Sequence, residues 1–375
     1  MSGSPLEGLR AIAFFGGGTG GHLFPGISIA ERAKERFPGC RAVFFRTSRA
    51  IEEKVFAGRG LETLPIRIGA PGGLSGWVRY LSQALKAEPM IRQVLSRGFD
   101  AAFGLGGYAS MPGILAARAL GLPVILLEQN AVAGRVNRLL SPIASAVACS
   151  FEGTRLRLAA RAVVTGNPLR REVLEAARAG VRSSTGAVKT VLVVGGSQGA
   201  GALNRAVRDA LPGLLELREK IYWIHVAGDA DKDAMTEAYR KTGWHAEVHA
   251  FTPDLPRLMA RSDLVVGRAG GTTLSEIAAL GVPSVLVPYP HHGDQHQRRN
   301  AEAFVRSGGA VLVDESQLEP ESIRRVFRDV LFAPERLSAM GRCVQALARP
   351  NAADAILDLA VELKNRCPPA SASFS

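Results

Sequence analysis

Short apolar runs punctuate the chain at residues 11–15, 42–45, 101–105, 124–127, 144–150 and 162–165, and again at 190–194, 221–227, 246–251, 264–266 and 284–287. Most are continuous rather than alternating, so they predict strands buried on both faces, the habit of a parallel sheet. Between them apolar residues return at helical spacing. Residues 25–36 place Ile27, Ile29, Ala30 and Ala33 at apolar positions, and 50–59, 202–211 and 350–364 read as further helices, the last amphipathic. Strand, loop and helix in repetition predict an α/β protein built on doubly wound parallel sheets.

The plan is written twice. Strand 11–15 runs into Gly16-Gly17-Gly18-Thr19-Gly20-Gly21-His22, and strand 190–194 runs into Gly195-Gly196-Ser197-Gln198-Gly199-Ala200. The turn Gly166-Asn167-Pro168 closes the first half, and a basic Ser/Thr/Gly-bearing stretch at 182–189 precedes the second. The expected domains are 1–168 and 169–349, followed by a helix at 350–366 and a small, polar, disordered tail at 367–375. A length of 375 residues suits two domains.

One helical stretch has two readings. Trp77, Tyr80, Leu81 and Leu85 lie at helical spacing with Arg79 and Lys86 among them, after a glycine-rich segment at 69–76. They form either a core-facing stripe or an apolar patch that rests on a membrane surface beside basic neighbours. The apolar region 101–127 holds Arg118, Pro112, Pro123 and several glycines, which suits strand, turn, helix and strand rather than a membrane span. No signal peptide pattern opens the chain.

A net charge of +12 changes the picture by pointing to an anionic partner. Nucleic acid is disfavoured: there is no zinc spacing and no long Lys/Arg block, and aromatic residues make up only 6% for stacking. Phosphorylated ligands and anionic membrane remain. Cys40, Cys149, Cys343 and Cys367 are far apart and form no CxxC, which suits a reducing compartment.

The candidate chemistry sits on the glycine turns. Arg268-Ala269-Gly270-Gly271-Thr272-Thr273-Leu274-Ser275-Glu276 joins a strand to a helix, where backbone N–H groups and hydroxyls at a positive helix end suit phosphate. Glu276 lies about one turn further in and suits a neutral polyol such as ribose; the plain alternative is a Thr-capped helix start with an acid on the dipole. Gly16, Gly18 and Gly21 satisfy GxGxxG, but the next strand ends in Arg46, Thr47, Ser48 and Arg49 rather than an acid. That disfavours NAD and leaves NADPH open. His22 is the leading base for an acceptor hydroxyl, unless it only hydrogen-bonds the loop. A second glycine turn, Gly106-Gly107-Tyr108-Ala109-Ser110, ends the third strand, and Glu128-Gln129-Asn130 ends the fourth. Glu128 is the reserve base. His291, His292, Asp294 and His296 crowd one loop without a register that would converge them on a metal, so Asp294, His296 and Gln297 read as sugar-hydroxyl contacts, with Asn300 opening the next helix.

Seven stretches taken together resemble the MurG family of bacterial cell-wall glycosyltransferases: GGGTGGHLFPG at 16–26, GGYAS at 106–110, EQNAVAG at 128–134, GNPLR at 166–170, GGSQGAGALN at 195–204, RAGGTTLSE at 268–276 and DQHQRRNA at 294–301. The resemblance runs from about residue 11 to about 365. It implies the GT-B fold, two Rossmann-like domains facing across a cleft with the last helix crossing back to the first. It also implies transfer of GlcNAc from UDP-GlcNAc to the muramyl 4-hydroxyl of lipid I, giving lipid II, with inversion, no cofactor and no metal for the leaving UDP.

By the same resemblance Gly18, Gly20, Gly21, Gly106, Gly107 and Tyr108 would hold the acceptor diphosphate. Thr19, Gly20, Gly21, Asn130, Arg170, Ser197, Gln297 and Gly271, Thr272, Thr273, Leu274, Ser275 and Glu276 stand at donor positions. Thr252 occupies a uracil-contacting position where an aliphatic residue is expected, and His296 stands where a second Gln can occur. The implied place is the cytoplasmic face of the inner membrane, held peripherally on its anionic leaflet, with proteins of cell-wall synthesis and division as partners. Two enzymatic alternatives remain: another GT-B transferase for UDP- or dTDP-sugars, and an NADPH-dependent oxidoreductase using the first loop. A third is a membrane protein that binds UDP-sugar without turnover.

Overall fold

The computed structural model describes residues 8–18, 20–47, 49–154, 156, 161–180, 187–195, 200–291 and 293–366. Expectations that fall on Thr19, Ser197, His292 and the 367–375 tail lie outside them. The chain divides into two compact units, one running to Arg170 and resuming at Pro350, the other Arg171–Arg349.

In chain order the first unit contains β1 (Ala11–Phe15), α1 (Gly20–Arg36), β2 (Arg41–Arg46), α2 (Ala50–Phe56), β3 (Glu62–Pro65), α3 (Gly73–Leu95), β4 (Ala101–Gly104), α4 (Met111–Ala119), β5 (Val124–Glu128), α5 (Arg135–Leu140), β6 (Ala146–Cys149) and β7 (Ala162–Val164). The second contains α6 (Arg171–Ala179), β8 (Lys189–Val194), α7 (Gly201–Ala210), β9 (Ile221–Val226), α8 (Lys232–Thr242), β10 (Ala246–His249), α9 (Leu255–Ala260), β11 (Leu264–Gly267), α10 (Gly271–Leu280), β12 (Ser284–Leu286), α11 (His296–Arg306), β13 (Ala310–Leu312), α12 (Pro320–Val326) and α13 (Pro334–Gln345). A last helix, α14 (Ala352–Arg366), belongs to the first unit.

Each unit is a parallel sheet wound in both directions from its first strand. The orders are β3-β2-β1-β4-β5-β6-β7 and β10-β9-β8-β11-β12-β13. The strand order therefore reverses beside β1 and beside β8, and at such switch points the carboxyl ends of neighbouring strands splay apart to leave a crevice.

Alternation along β1 explains the two-layer packing of the first unit. Phe14 lies in register with Phe44 and Phe103, its ring stacked on theirs at 4.5 and 5.0 Å between centroids. That face also takes Ile356, Leu357 and Ala360 of α14. Phe15 points the other way, stacks on Phe45 at 4.5 Å and shares its layer with Ile91, Leu95 and Ile114 of α3 and α4. A methyl on Gly113 would lie 1.9 Å from the Phe15 ring, so α4 can approach β1 this closely only with glycine there.

Helix α14 is fastened to this unit by charge as well as by apolar contact. The buried Lys364 Nζ lies 3.2 Å from Asp100 Oδ1 and donates to the Gly8 carbonyl at 3.1 Å, while Arg161 forms a two-bond fork with Glu362 at 3.0 Å. Removing Asp100 would strand the Lys364 ammonium in the core, a loss of about 3–5 kcal/mol, whereas Asp100 without Lys364 keeps Arg10 as a partner.

Several elements differ from the sequence expectation. Strands β3 and β13 were not foreseen. The first is the short, half-buried Glu-Thr-Leu-Pro, and the second has three residues at a sheet edge, so neither shows a buried-strand pattern. Helix α1 starts at Gly20 rather than at 25, which puts His22 in its first turn and Pro25 inside it. Helix α3 extends over 73–95 and takes in the end of the glycine-rich segment. Of the two readings of its stretch Tyr80 takes the core-facing one: it is 2% exposed and donates its hydroxyl to the Tyr108 carbonyl at 2.9 Å. Burial pushes that hydroxyl up to about 12.

Candidate functional site

In the first unit, strands β1 and β4 are neighbours, so the loops that follow them meet. A methyl on Gly16 would lie 2.8 Å from the Gly106 carbonyl oxygen, and one on Gly106 would lie 3.4 Å from His22 Nε2. Gly16, Gly106 and Gly107 adopt φ of +136°, +99° and +75°, conformations that favour glycine. The structure thus gathers Gly16–Gly18, Gly20, Gly21, His22, Gly106 and Gly107 at one switch point, with the half-buried imidazole of His22 against the second loop. Tyr108 turns its ring edge to Trp77 at 5.6 Å and ties this loop to α3.

Two residues have duties the sequence did not show. The Gly18 N–H donates to the buried carboxylate of Glu52 at 2.8 Å, so this expected anion donor faces inward. Glu128, the reserve base, is 2% exposed, and both its oxygens are fully engaged. Oε1 accepts from Asn130 N at 3.0 Å and Asn130 Nδ2 at 3.3 Å; Oε2 accepts from Gly134 N at 2.9 Å and Asn137 Nδ2 at 2.8 Å. Burial pushes its carboxyl up and these donors pull it back. A carboxylate so surrounded orders residues 128–137. Arg170 lies over the Phe24 ring of α1, 4.7 Å from its centroid, which holds it beside the helix that carries His22.

In the second unit, β11 lies beside β8, and α10 starts from the β11 turn. Its N-cap is Gly270, which makes no side-chain capping bond, so the Thr-capped alternative does not hold. Leu274 N–H bonds the Gly270 carbonyl at 3.0 Å, Ser275 donates to the Gly271 carbonyl at 2.9 Å, and Thr272 and Thr273 stand half-buried in the first turn. Glu276 is buried at 3% exposure.

Arg268 has a role no pattern announced. It is buried, donates to the carbonyls of Val287 at 3.1 Å and Pro288 at 3.4 Å, pairs with Glu315 and lies over the Tyr289 ring. A basic residue at the end of an apolar strand, one residue before two glycines, was the available signal. Asn300 lies within α11 rather than opening it, and its buried amide donates to the Ala269 carbonyl at 3.0 Å. Arg268 and Asn300 together fix the turn from which α10 departs.

Helix α11 brings the remaining candidates to that turn. Gln297 Oε1 accepts the Tyr289 N–H at 3.0 Å. Only the carbonyl end of an amide can accept, so its NH₂ is fixed as the end left to donate. His296 Nδ1 is 2.7 Å from Asp294 Oδ1, which also takes the His296 N–H at 3.3 Å. Gln295, at φ +51°, is the only described non-glycine residue with positive φ and marks the turn into α11. Thr252 is half-buried after β10, and its Oγ1 accepts the Asp254 N–H at 3.1 Å.

The exposed face of α3 lies on the first unit. Leu74, Val78, Leu81 and Leu85 are 85%, 64%, 54% and 74% exposed, Trp77 is 40% exposed, and Arg79 and Lys86 are exposed on the same helix. Leu74 and Val78 join the face where Tyr80 was expected. No helix among the described residues is long and apolar enough to cross a membrane.

Comparison with known proteins agrees with this division. Residues 12–149 match the glycosyltransferase family 28 N-terminal domain and residues 190–356 its C-terminal domain. A relative from Anaeromyxobacter dehalogenans is 41% identical over 355 residues, 94% of this chain and 92% of the relative; one from Geobacter metallireducens is 39% identical over 348 residues, 92% and 96%. Both are named UDP-N-acetylglucosamine–N-acetylmuramyl-(pentapeptide) pyrophosphoryl-undecaprenol N-acetylglucosamine transferase. The crystal structure of Acinetobacter baumannii MurG is similar with a TM-score of 0.75 at 30% identity, covering 94% of this chain and 99% of that one. The oxidoreductase alternative finds no support among these matches.

Proposed function

The chain belongs to glycosyltransferase family 28, and on that premise we propose that it transfers N-acetylglucosamine from UDP-GlcNAc to the muramyl 4-hydroxyl of lipid I, forming lipid II for peptidoglycan. The observation that supports the chemistry is the meeting of two glycine loops on His22 in the first unit. A diphosphate held by the loop N–H groups puts the attached sugar's hydroxyl within reach of the imidazole. His22 takes the proton of the 4-hydroxyl as its oxygen attacks the anomeric carbon. The bond from that carbon to the β-phosphate oxygen breaks, and UDP departs with the electron pair. A base on the acceptor side and a leaving group on the other make the transfer inverting.

The second unit supplies the leaving-group side. The N-terminus of α10, with Gly271, Thr272, Thr273 and Ser275, takes the developing charge on the diphosphate. Glu276 accepts from the ribose hydroxyls, Gln297 donates its fixed NH₂ to the sugar, with His296 beside it, and the loop at Thr252 meets the uracil through backbone. Asn130, Arg170, Thr19, Gly20, Gly21 and Ser197 complete the donor contacts. This assignment calls for no metal, and a rate unchanged in EDTA is its expected signature.

We further assign the protein to the cytoplasmic surface of the inner membrane, resting on the exposed face of α3. Leu74, Val78, Leu81 and Leu85 supply the apolar contact, and Arg79 and Lys86 the attraction to anionic headgroups. The deciding experiment is donor profiling with a lipid I analogue. UDP-GlcNAc should be preferred over UDP-GalNAc by at least about tenfold in kcat/KM, since a misplaced hydroxyl leaves a fixed amide unpaired. Equal kcat/KM for the two would defeat the donor assignment.

A further inference from the structure

Glu52 is a buried acid for which the reaction above has no use. It lies in the first turn of α2 at 0% exposure, directly beneath the first glycine loop. Its Oε1 accepts the Gly18 N–H at 2.8 Å and the Thr47 hydroxyl at 2.6 Å, while Oε2 makes no hydrogen bond among the described residues. A methyl on Gly17 would lie 2.3 Å from Oε1, so the carboxylate presses directly on the loop backbone. A methyl on Gly18 would meet Arg49 Nη1 at 2.8 Å, so the exposed Arg49 guanidinium covers the loop where the carboxylate does not. A buried acid and an exposed cation thus both meet the loop, at Gly17 and Gly18.

We propose that Glu52 and Arg49 form a clamp on the first glycine loop: Glu52 is a positioning residue that fixes its backbone, and Arg49 is a cationic contact for the acceptor's diphosphate. The inference rests on reading the two glycine loops as the acceptor diphosphate site. A flexible triple-glycine segment carries a large conformational entropy, and ordering it before the ligand arrives removes that cost from binding. The Gly18 bond does this by tying the middle of the loop to a rigid helix start. Placing an acid beneath an anion site is tolerable because it lies deep and has cations near it. Burial pushes the Glu52 carboxyl up, and the Thr47 and Gly18 donors, then Arg46 and Arg49, pull it back. The exposed Arg49 gives the site the positive sign that the inward-facing Gly18 N–H cannot.

The test compares Glu52→Ala, Glu52→Gln, Arg49→Ala and Gly107→Ala, measuring KM for a short-chain lipid I analogue and the Kd of UDP by calorimetry. Glu52→Ala and Arg49→Ala should each raise the acceptor KM roughly tenfold to a hundredfold, the range for hydrogen bonds to charged groups, with UDP Kd unchanged. Glu52→Gln keeps an oxygen for Gly18 and Thr47 and should restore an acceptor KM close to the parent value. Gly107→Ala forces a side chain onto positive φ in the second loop and should raise the acceptor KM on its own. A raised KM for Gly107→Ala beside unchanged values for Glu52→Ala and Arg49→Ala overturns the clamp alone. An unchanged KM for Gly107→Ala overturns the acceptor site itself and the clamp with it. A Glu52→Gln variant as impaired as Glu52→Ala, with UDP binding lost in both, reduces Glu52 to a general structural acid and also overturns the proposal.

Discussion

Both units place glycine-bearing turns after their two central strands, β1 and β4 in one and β8 and β11 in the other, yet they bury opposite charges behind them. Beneath the first loop lies the carboxylate of Glu52; behind the β11 turn lies the guanidinium of Arg268. The same backbone plan therefore serves two electrostatic tasks. In the second unit a buried cation, an uncapped helix N-terminus and Thr hydroxyls all favour negative charge, which suits the phosphates of a departing nucleotide. In the first unit one loop N–H is engaged by a buried acid, so positive charge at that loop has to come from a side chain, the exposed Arg49, rather than from that N–H. Under the proposed reaction the pair of similar folds would divide the work: one side accepting a charge as it leaves, the other removing a proton from an arriving hydroxyl.

Four experiments break or sharpen that comparison, taken from the largest expected effect to the smallest. His22→Ala should lower kcat by about 10²–10⁴, the usual contribution of a positioned base, and leave UDP affinity intact. The acidic limb of the pH–rate profile should go with it. A variant that keeps most of its kcat would remove the proton-accepting task from the first unit. Glu276→Ala should do the reverse, weakening UDP and UDP-GlcNAc roughly tenfold to a hundredfold while the acceptor KM holds. Unchanged UDP affinity by calorimetry would leave that buried acid with a folding role only.

Acid should also separate the units. His225 is wholly buried in the second unit between Tyr239 Oη and Asn204 Oδ1, each at 3.0 Å, and burial lowers it from 6.5 to about 4, with Asp231 opposing weakly. The unfolded chain takes this proton near 6.5, so the stabilisation is complete above that pH and is lost as pH falls toward 4. The slope is up to about 1.4 kcal/mol per pH unit. Glu52 and Glu128 act oppositely in the first unit. Burial raises both above 4.5, so the fold binds their protons first, and their contribution is complete below 4.5 and lost as pH rises through the folded values. Hydrogen exchange at pH 7 and pH 5, corrected for intrinsic rates, should show β9 losing protection relative to β5. Equal change in both strands would refute the contrast.

The smallest effect concerns attachment. Trp77→Ser with Leu81→Ser should reduce binding to anionic vesicles by roughly tenfold, about the loss from two partly inserted apolar side chains, without altering UDP binding. Tyr80→Ser should instead lower Tm, because its ring is packed in the core. Vesicle binding unaffected by the double substitution would take the membrane task away from α3.

The apolar runs were enough to place most strands within a residue or two, because a strand buried on both faces must be apolar along its whole length. Edge strands are not held to that rule; Ala162–Val164 and Ala246–His249 were still read, but the short edges Glu62–Pro65 and Ala310–Leu312 were not. Helix α1 was read from Pro25 because proline and apolar spacing mark a helix start, whereas the glycines before it give no propensity signal and become helical through packing.

The sequence by itself determined the glycine turns, their repetition, and the identity of His22, Glu276 and Gln297 as candidates, since those residue types follow from what the chemistry requires. Only the tertiary structure decided what each buried polar group serves. Glu128, the reserve base, has both oxygens engaged by donors of the loop and helix that follow it. Tyr80 could be read as core or as surface and is core, and Glu52, Arg268 and Asn300 gave little or no sign of their partners. The reason is physical. A buried polar side chain is tolerable only with hydrogen-bond partners, and those partners here come from other strands and turns, as far apart as Gly18 and Glu52 or Ala269 and Asn300, which local pattern cannot pair.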